Sequence, residues 1–325
     1  MTAEPGTRVL KADAAGIETA SACLAEGGLV AFPTETVYGL GADARHGEAI
    51  ARLYAAKGRP AFNPLIAHVA DARAAHDLAA FNADADRLAA AFWPGPLTLV
   101  LPKRPDCPVA ALALAGLDSI ALRVPAHPAA RRLLTAFGGP VVAPSANRSG
   151  HVSPTAAGHV IGDLRGRIDL ILDDGPCPVG VESAIVACLD EPTLLRPGGV
   201  ARVDIERVLG RSLQLPVANI DEDAPLAPGM LASHYAPKAR VRLNADCPRD
   251  GEALLAFGAA PAFHGTMLNL SPRGDLIEAA ANLFAHLRSL DASGATAIAV
   301  MPIPHEGLGE AINDRLARAA APKHR

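Results

Sequence analysis

The sequence predicts an α/β protein with two cores, and three observations carry the prediction. Short apolar runs bounded by Gly and Pro alternate with amphipathic helical stretches. Strand-like runs outnumber helical ones between 119 and 195, which argues against a purely alternating parallel sheet. The chain's 325 residues exceed the usual single domain, and a second, smaller alternation resumes beyond a Pro-rich stretch.

Taken in order, an Ala-rich stretch at 14–26 closes on Gly27-Gly28, a helix with a glycine stop. The apolar strand 29–32 follows and empties into PTETVYGLGADA at 33–44, whose hydroxyls, Tyr and glycines suggest a ligand-bearing loop. A helix over 47–56 stops at Lys57-Gly58, 64–69 is strand-like, and 71–92 forms one or two helices before Trp93-Pro94-Gly95-Pro96 breaks the pattern. Residues 97–101 alternate as a strand. Further strands are expected at 119–124, 140–143, 169–172, 183–188 and 193–195, with helices at 128–137 and 154–164. Residues 214–237 are rich in Pro, Asp and Ala without periodicity, as a linker is. Beyond it, strands at 253–257 and 296–301 and helices at 275–290 and 308–320 suffice for a small Rossmann-like α/β unit, although no G-x-G-x-x-G accompanies them. There is no internal repeat.

Composition narrows the function classes. No run of 18 uncharged apolar residues is present, and MTAEPGTRVLKAD lacks the basic and apolar regions of a signal peptide, so a cytoplasmic, non-membrane protein is expected. Five scattered cysteines without a C-x-x-C pair argue against a disulfide framework or structural zinc. A net charge of −4 and few aromatics argue against a broad nucleic-acid-binding face.

Chemistry concentrates at a few positions. No G-x-x-x-x-G-K-[ST] exists, so a bound nucleotide needs another anion cradle. Lys57 and Arg59 end a predicted helix, where they either cap its dipole or meet phosphates. Ser153-Pro154 has the form of a Ser N-cap with Pro at the first helical position. The same helix start offers free N–H groups to an anion, with Ser145, Asn147 and Ser153 lining it. Arg123, in the apolar run Ile120-Ala121-Leu122-Arg123-Val124, requires an anion, for which an internal Asp or Glu is the ordinary answer. His68, closing Leu65-Ile66-Ala67, is a hydrogen-bonded core histidine or a pocket residue.

Six segments stand in a fixed order: PTETVYGLGADA (33–44), KGRPAFNPLIAHV (57–69), SIALRVPAHP (119–128), PVVAPSANRSGHVSPT (140–155), PVGVESAIV (178–186) and LLRPGGV (194–200). In this order the chain, from about 12 to 204, resembles the YrdC-like family of L-threonylcarbamoyl-AMP synthases. SHYAPKA (233–239), GDLIEAAANLFAHLRSLD (274–291) and GLGEAINDRLARAA (307–320) resemble the extra C-terminal domain of the family's long form. The resemblance implies a twisted mixed sheet flanked by helices as a catalytic domain over 12–204. A linker or lid at 214–239 and a small C-terminal α/β domain at 240–325 would follow.

It further implies that L-threonine, bicarbonate or CO2 and ATP give L-threonylcarbamoyl-AMP and pyrophosphate, with Mg²⁺ held mainly by the phosphates and not by protein ligands. The product would pass to a tRNA-modifying transfer complex. Carried over residue by residue, Lys57 and Arg59 act on the leaving phosphates, and Thr36, His68, Arg123, Ala143 and Ser183 hold L-threonine. Arg59, Asn63, Ser119, Ser145, Asn147, Ser153, Arg196 and Tyr235 hold ATP. The alternative for Arg196 is an exposed turn charge; 233–237, a Pro-rich segment with an isolated His-Tyr pair, reads as a lid bringing Tyr235 to the nucleotide, with an inert tether as its alternative. The chain departs from the family at Ser183-Ala184, where the family has Ser-Thr, so one hydroxyl is lost. Two rival classes are an RNA-binding module and a carbamoyl transferase of the hydrogenase-maturation type; the zinc-finger pairs and acylphosphatase segment of the latter are not found in these residues.

Overall fold

The computed structural model describes residues 6–60, 62–216 and 235–322. The first part runs β1 (Arg8–Lys11), α1 (Ala14–Ala25), β2 (Val30–Pro33), β3 (Tyr38–Asp43), α2 (Gly47–Lys57), β4 (Ile66–His68), α3 (Ala72–His76), α4 (Ala83–Phe92) and β5 (Leu97–Pro102). It continues through α5 (Ala111–Leu114), β6 (Ser119–Arg123), α6 (Pro128–Phe137), β7 (Val141–Val142), α7 (Ala157–Leu164), β8 (Leu170–Asp173), β9 (Ala184–Ala187), β10 (Thr193–Arg196) and α8 (Arg202–Leu209). Then come β11 (Arg240–Arg242), β12 (Glu252–Ala256), β13 (Met267–Asn269), α9 (Leu276–Ala292), β14 (Ala297–Val300) and α10 (Gly309–Ala320).

Local chemistry sets many of these boundaries. The side chains of Asp13, Asp71 and Asn82 accept hydrogen bonds from the first-turn amides of α1, α3 and α4, so the apolar stretch 71–92 becomes two helices. Left-handed glycines end α2 (Gly58), α6 (Gly138) and α8 (Gly210).

Ten strands form one sheet in the order β1-β8-β2-β3-β7-β4-β6-β5-β9-β10. Parallel pairs (β2 with β8, β4 with β6, β5 with β9) occur beside antiparallel ones (β2 with β3, β5 with β6, β9 with β10), giving the mixed sheet that was expected. One face carries α1 and α6, packed through Ile17, Leu24, Leu133 and Leu134 against Phe32, Val141 and Leu170. The other face buries Ile50, Leu53, Leu88, Val160 and Ile205 from α2, α4, α7 and α8. Four further strands form a separate all-parallel sheet, β11-β14-β12-β13. Its core takes Leu283, Phe284 and Leu287 from α9 and Ile312 and Leu316 from α10, and it also includes Val37, Val152 and Val181 from the first part of the chain.

Two expectations need correction. The segment 33–44 is not all loop: β3 occupies Tyr38–Asp43, every residue buried and paired with β2 on one side and β7 on the other. A strand covered on both faces shows no alternation, and its glycines resemble loop residues. The helix expected at 154–164 begins at Ala157, so its N-cap is Ala156, whose side chain has no acceptor to cap with, while the Ser153 hydroxyl donates to Glu182 at 2.5 Å. Strands β1, β11 and β13 and helices α5 and α8 were not anticipated; β1 is mostly exposed at a sheet edge and carries no apolar alternation. Of the expected linker, Gln214 bridges to Thr193 beside the sheet, while Ser233 and His234 lie outside the described residues.

Candidate active site

A narrow cleft of about 50 Å³ opens where β3, β4, β6, β9 and β10 approach the loop after β7. Thr36, Arg59, His68, Arg123, Ala143, Ser145, Ser183, Arg196 and Tyr235 line it, joined by Val37, Ile66, Pro144 and Glu182. Nine of the positions expected at a substrate site therefore converge, from segments spread between 36 and 235.

Each side chain reaches the cleft for a local reason. His68 and Arg123 are opposite each other in the parallel β4–β6 register, at the last residue of each strand. His68 is buried, its Nδ1 near the Ile66 carbonyl at 3.2 Å; burial, helped by Arg123, drives its pKa down to about 3, so it is neutral at physiological pH. Arg123 donates through Nη2 to Glu35 Oε1 at 2.6 Å and through Nε to the Gly95 carbonyl at 3.3 Å. The internal carboxylate that Arg123 requires is thus Glu35, which sequence reasoning did not single out. Burial pushes the Glu35 carboxyl up, but the charge and hydrogen bond of Arg123 outweigh it and hold the pKa below the ordinary value. Glu35 Oε2 also accepts from the Ala126 amide at 3.0 Å, so one carboxylate orients both Arg123 and the turn before α6.

Thr36 follows directly; its hydroxyl lies 2.8 Å from that of Thr34, which in turn donates to the Val37 carbonyl at 2.6 Å. Ser183 faces Thr98, hydroxyl to hydroxyl, at 2.8 Å. Thr98, on β5, is a second residue the sequence did not reveal, and it gives Ser183 a hydroxyl neighbour despite Ala184. Arg196 donates from Nη2 to the Ser183 carbonyl at 2.9 Å and to its hydroxyl at 3.3 Å. It is buried, not the exposed turn charge that was its alternative. The approach is tight because Gly198 lies against this backbone: a Cβ there would meet Ala184 N at 2.2 Å and Ser183 C at 2.3 Å.

Lys57 closes α2 and is buried. Its Nζ donates to the Ser145 and Asn147 carbonyls at 2.5 and 2.6 Å, so two of its three protons shape the 145–147 loop. Burial lowers its pKa well below the ordinary value, reinforced by the Arg59 charge. Arg59 donates to the Pro64 carbonyl at 3.1 Å, while its Nε is buried with no hydrogen-bond partner among the described residues. Burial pulls the Arg59 pKa to about 10, which leaves it charged at neutral pH. The Oδ1 atoms of Asn63 and Asn147 are likewise buried and unpartnered. Of these, the Arg59 Nε donor fits an anionic oxygen, whereas the two amide oxygens, which only accept, fit N–H or O–H donors of a ligand.

Asn63, Asn147 and Ser153 are buried next to the cleft but not on its wall, and Ser119 opens β6 at the end away from Arg123. Tyr235, the first described residue after the 217–234 interval, is buried in the wall with φ +60°, a left-handed conformation unusual for a bulky residue. Its ring stacks on Phe284 at 5.5 Å. No group of three His, Cys, Asp or Glu side chains able to hold a metal occurs among the described residues.

Fold and cleft together define an α/β protein with an arginine-lined cleft in its mixed sheet. Residues 22–198 match the Sua5/YciO/YrdC family, described as "Telomere recombination", and residues 200–321 match "Threonylcarbamoyl-AMP synthase, C-terminal domain". The chain is 41% identical to the threonylcarbamoyl-AMP synthase of Bacillus subtilis, over 94% of this chain and 92% of that protein. It is also 41% identical to the Pyrococcus abyssi threonylcarbamoyl-AMP synthase, over 94% of each. The crystal structure of P. abyssi Sua5 complexed with L-threonine superposes with a TM-score of 0.88 at 39% identity, covering 97% of this chain and 96% of that one. The chain belongs to the threonylcarbamoyl-AMP synthase family.

Proposed function

We propose that this enzyme, of nucleotidyltransferase type, makes L-threonylcarbamoyl-AMP from L-threonine, bicarbonate or CO2 and ATP, releasing pyrophosphate. This is the first step toward threonylcarbamoyladenosine in tRNA, and a separate transfer complex would consume the product. The observation that carries the reading is the convergence of Arg59, Arg123 and Arg196 with the hydroxyls of Thr36, Ser145 and Ser183 on one cleft. Family membership over nearly the whole chain supports it.

The chemistry asks for alignment and charge compensation, not a protein nucleophile. The threonine amine is carboxylated to a carbamate, one carbamate oxygen attacks the α-phosphorus, and the bond to pyrophosphate breaks as the electron pair leaves with it. Arg123, already oriented by Glu35, presents its planar fork to the threonine carboxylate. Thr36, His68, Ala143 and Ser183 complete the amino-acid pocket; a neutral His68 can accept or donate a hydrogen bond without adding charge. Arg59 faces the phosphates and Lys57 acts behind it through the Ser145 and Asn147 carbonyls that it holds, with Asn63, Ser145, Asn147, Ser153 and Arg196 shaping the nucleotide side, Tyr235 covering it and Ser119 at its margin. Magnesium would arrive with ATP, coordinated by phosphate oxygens, and neutralise the leaving pyrophosphate.

The domain division that accompanies this reading is 12–204 for catalysis, 214–239 as connector and 240–325 as the smaller unit, in a cytoplasmic setting. No helix among the described residues is long and apolar enough to cross a membrane. The decisive assay follows pyrophosphate and the labile adenylate by mass under single omissions. Release should require L-threonine and bicarbonate together. Equal release after rigorous removal of bicarbonate would mean ordinary aminoacyl adenylation.

A further inference from the structure

Helix α10, in the second unit, delivers one side chain to the edge of the cleft. Arg315 is completely buried and donates through Nε to Glu182 Oε2 at 2.9 Å. Its Nη1 donates to the Pro197 carbonyl at 2.9 Å and to Asp314 Oδ2 at 2.7 Å. The guanidinium carbon lies 5.4 Å from the centre of the Tyr235 ring. Glu182 and Tyr235 both line the cleft, and Glu182 Oε1 accepts from Ser153 Oγ at 2.5 Å. From α9, Arg288 reaches the same place: it donates to the Val152 carbonyl, to the Ser153 carbonyl at 3.4 Å and to Asp163 Oδ2 at 2.8 Å.

Glu182 is a problem in such a cleft. A carboxylate on the wall of a site that takes a triphosphate repels it unless its charge is balanced, and a buried carboxylate without a partner is costly in itself. We propose that Arg315 is a positioning residue for the nucleotide: by neutralising and orienting Glu182 and supporting Tyr235 it lets the cleft accept ATP, so the second unit completes the active site from outside it. This rests on the reading of the cleft as the site of ATP-dependent threonylcarbamoylation.

The charged and titratable groups around Glu182 are Arg315 and Asp314 from α10, Arg196 from β10 and Tyr235. Asp314 is itself held by Arg315 and Arg318. Burial raises the Glu182 pKa, but Arg315 first and Arg196 second more than offset this and keep it low. Without Arg315 the burial effect gains, so Glu182 protonates at higher pH than in the native protein and its repulsion fades as pH falls.

The test is steady-state kinetics of the full-length chain with Arg315→Met, Arg315→Lys and the pair Arg315→Met/Glu182→Gln. Arg315→Met should raise the KM for ATP by about tenfold or more while changing the KM for L-threonine much less. The ATP defect should shrink as pH is lowered, and the double variant, which removes both charges, should recover most of the lost affinity. Arg315→Lys keeps the charge without the fork and should fall between. The double variant and Arg315→Lys give the answer even if Arg315→Met does not fold. A wild-type KM for ATP in Arg315→Met would overturn the proposal. So would a defect equal for both substrates and indifferent to pH and to Glu182→Gln, which is what a purely structural ion pair gives. Failure of the broader reading looks different: the wild-type protein would then show no bicarbonate-dependent pyrophosphate release.

Discussion

At the residue scale, His68 and Arg123 sit opposite each other on adjacent strands, yet burial keeps one neutral while the other is ion-paired to Glu35. Burial costs His68 its proton, and the Arg123 cation adds to that while the Glu35 carboxylate opposes it only in part; Arg123 itself donates a 2.6 Å hydrogen bond to Glu35. A His whose pKa falls from 6.5 to about 3 on folding contributes stability fully above pH 6.5, and loses it progressively as pH drops toward 3. Glu35, whose pKa is also lowered, loses its contribution on the same acid side, below its ordinary carboxylate range. The melting temperature should therefore fall between pH 6.5 and 4, and His68→Gln should flatten that slope; an unchanged slope would show that His68 is not held neutral in the native state. Arg123→Ala should weaken L-threonine by about 2–5 kcal/mol in calorimetry, part of it the cost of leaving Glu35 buried alone. Normal threonine binding with only a lower melting temperature would make Arg123 a structural partner of Glu35. L-serine, lacking one methyl, should bind weaker than threonine by about 1–3 kcal/mol.

At the element scale, the β9–β10 hairpin brings Ser183 and Arg196 together only because Gly198 lets the chain cross that backbone. Gly198→Ala would set a methyl 2.5 Å from the Glu182 carbonyl oxygen and nearer still to the Ser183 and Ala184 main chain, none of which can swing aside. Overpacking of this kind typically costs about 1–3 kcal/mol. Here the variant should lower the melting temperature and raise the KM for both substrates, since Ser183 and Arg196 shift together; wild-type kinetics would mean the clearance is unused. Helices ended by glycine and short apolar strands were legible in the sequence because their signals are local: Gly58 and Gly138 stop α2 and α6 where expected. β3 was not, since a strand buried on both faces carries no period-two pattern. Nor was the start of α7, where Ser153 has the right identity for a cap but donates to Glu182, and the helix begins at Ala157. Site residues inside a recognisable segment could be named; their partners could not. Thr98 lies 85 residues from Ser183, Glu35 88 from Arg123, and Arg315 133 from Glu182, and nothing near any of them in the chain marks the pairing.

At the scale of the whole molecule, the two sheets do not meet as independent bodies. The core under the parallel sheet takes in Val37, Val152 and Val181 beside Phe284 and Leu287, and two cations cross the boundary, Arg288 to Asp163 and Arg315 to Glu182 on the cleft wall. A further ion pair, Arg202 to Glu310 at 2.9 Å, ties α8 to α10. Ligands that bind only the assembled cleft must then stabilise every part whose opening dismantles it, by mass action on the native state. Partial opening of the second unit would withdraw Tyr235 and Arg315 together, so its free energy of opening should rise with occupancy of a site formed mostly by the first. Hydrogen exchange is the direct measurement. Saturating ATP and L-threonine should slow exchange in α9 and α10 as well as in the segments 36–68 and 183–199. Threonine alone, held mainly by Arg123 and Ser183, should protect the first set of strands with little effect on α10. Protection confined to the ten-stranded sheet even with both substrates present would show that the parallel-sheet unit opens without disturbing the site, and that its contacts with Glu182 and Tyr235 are only an interface.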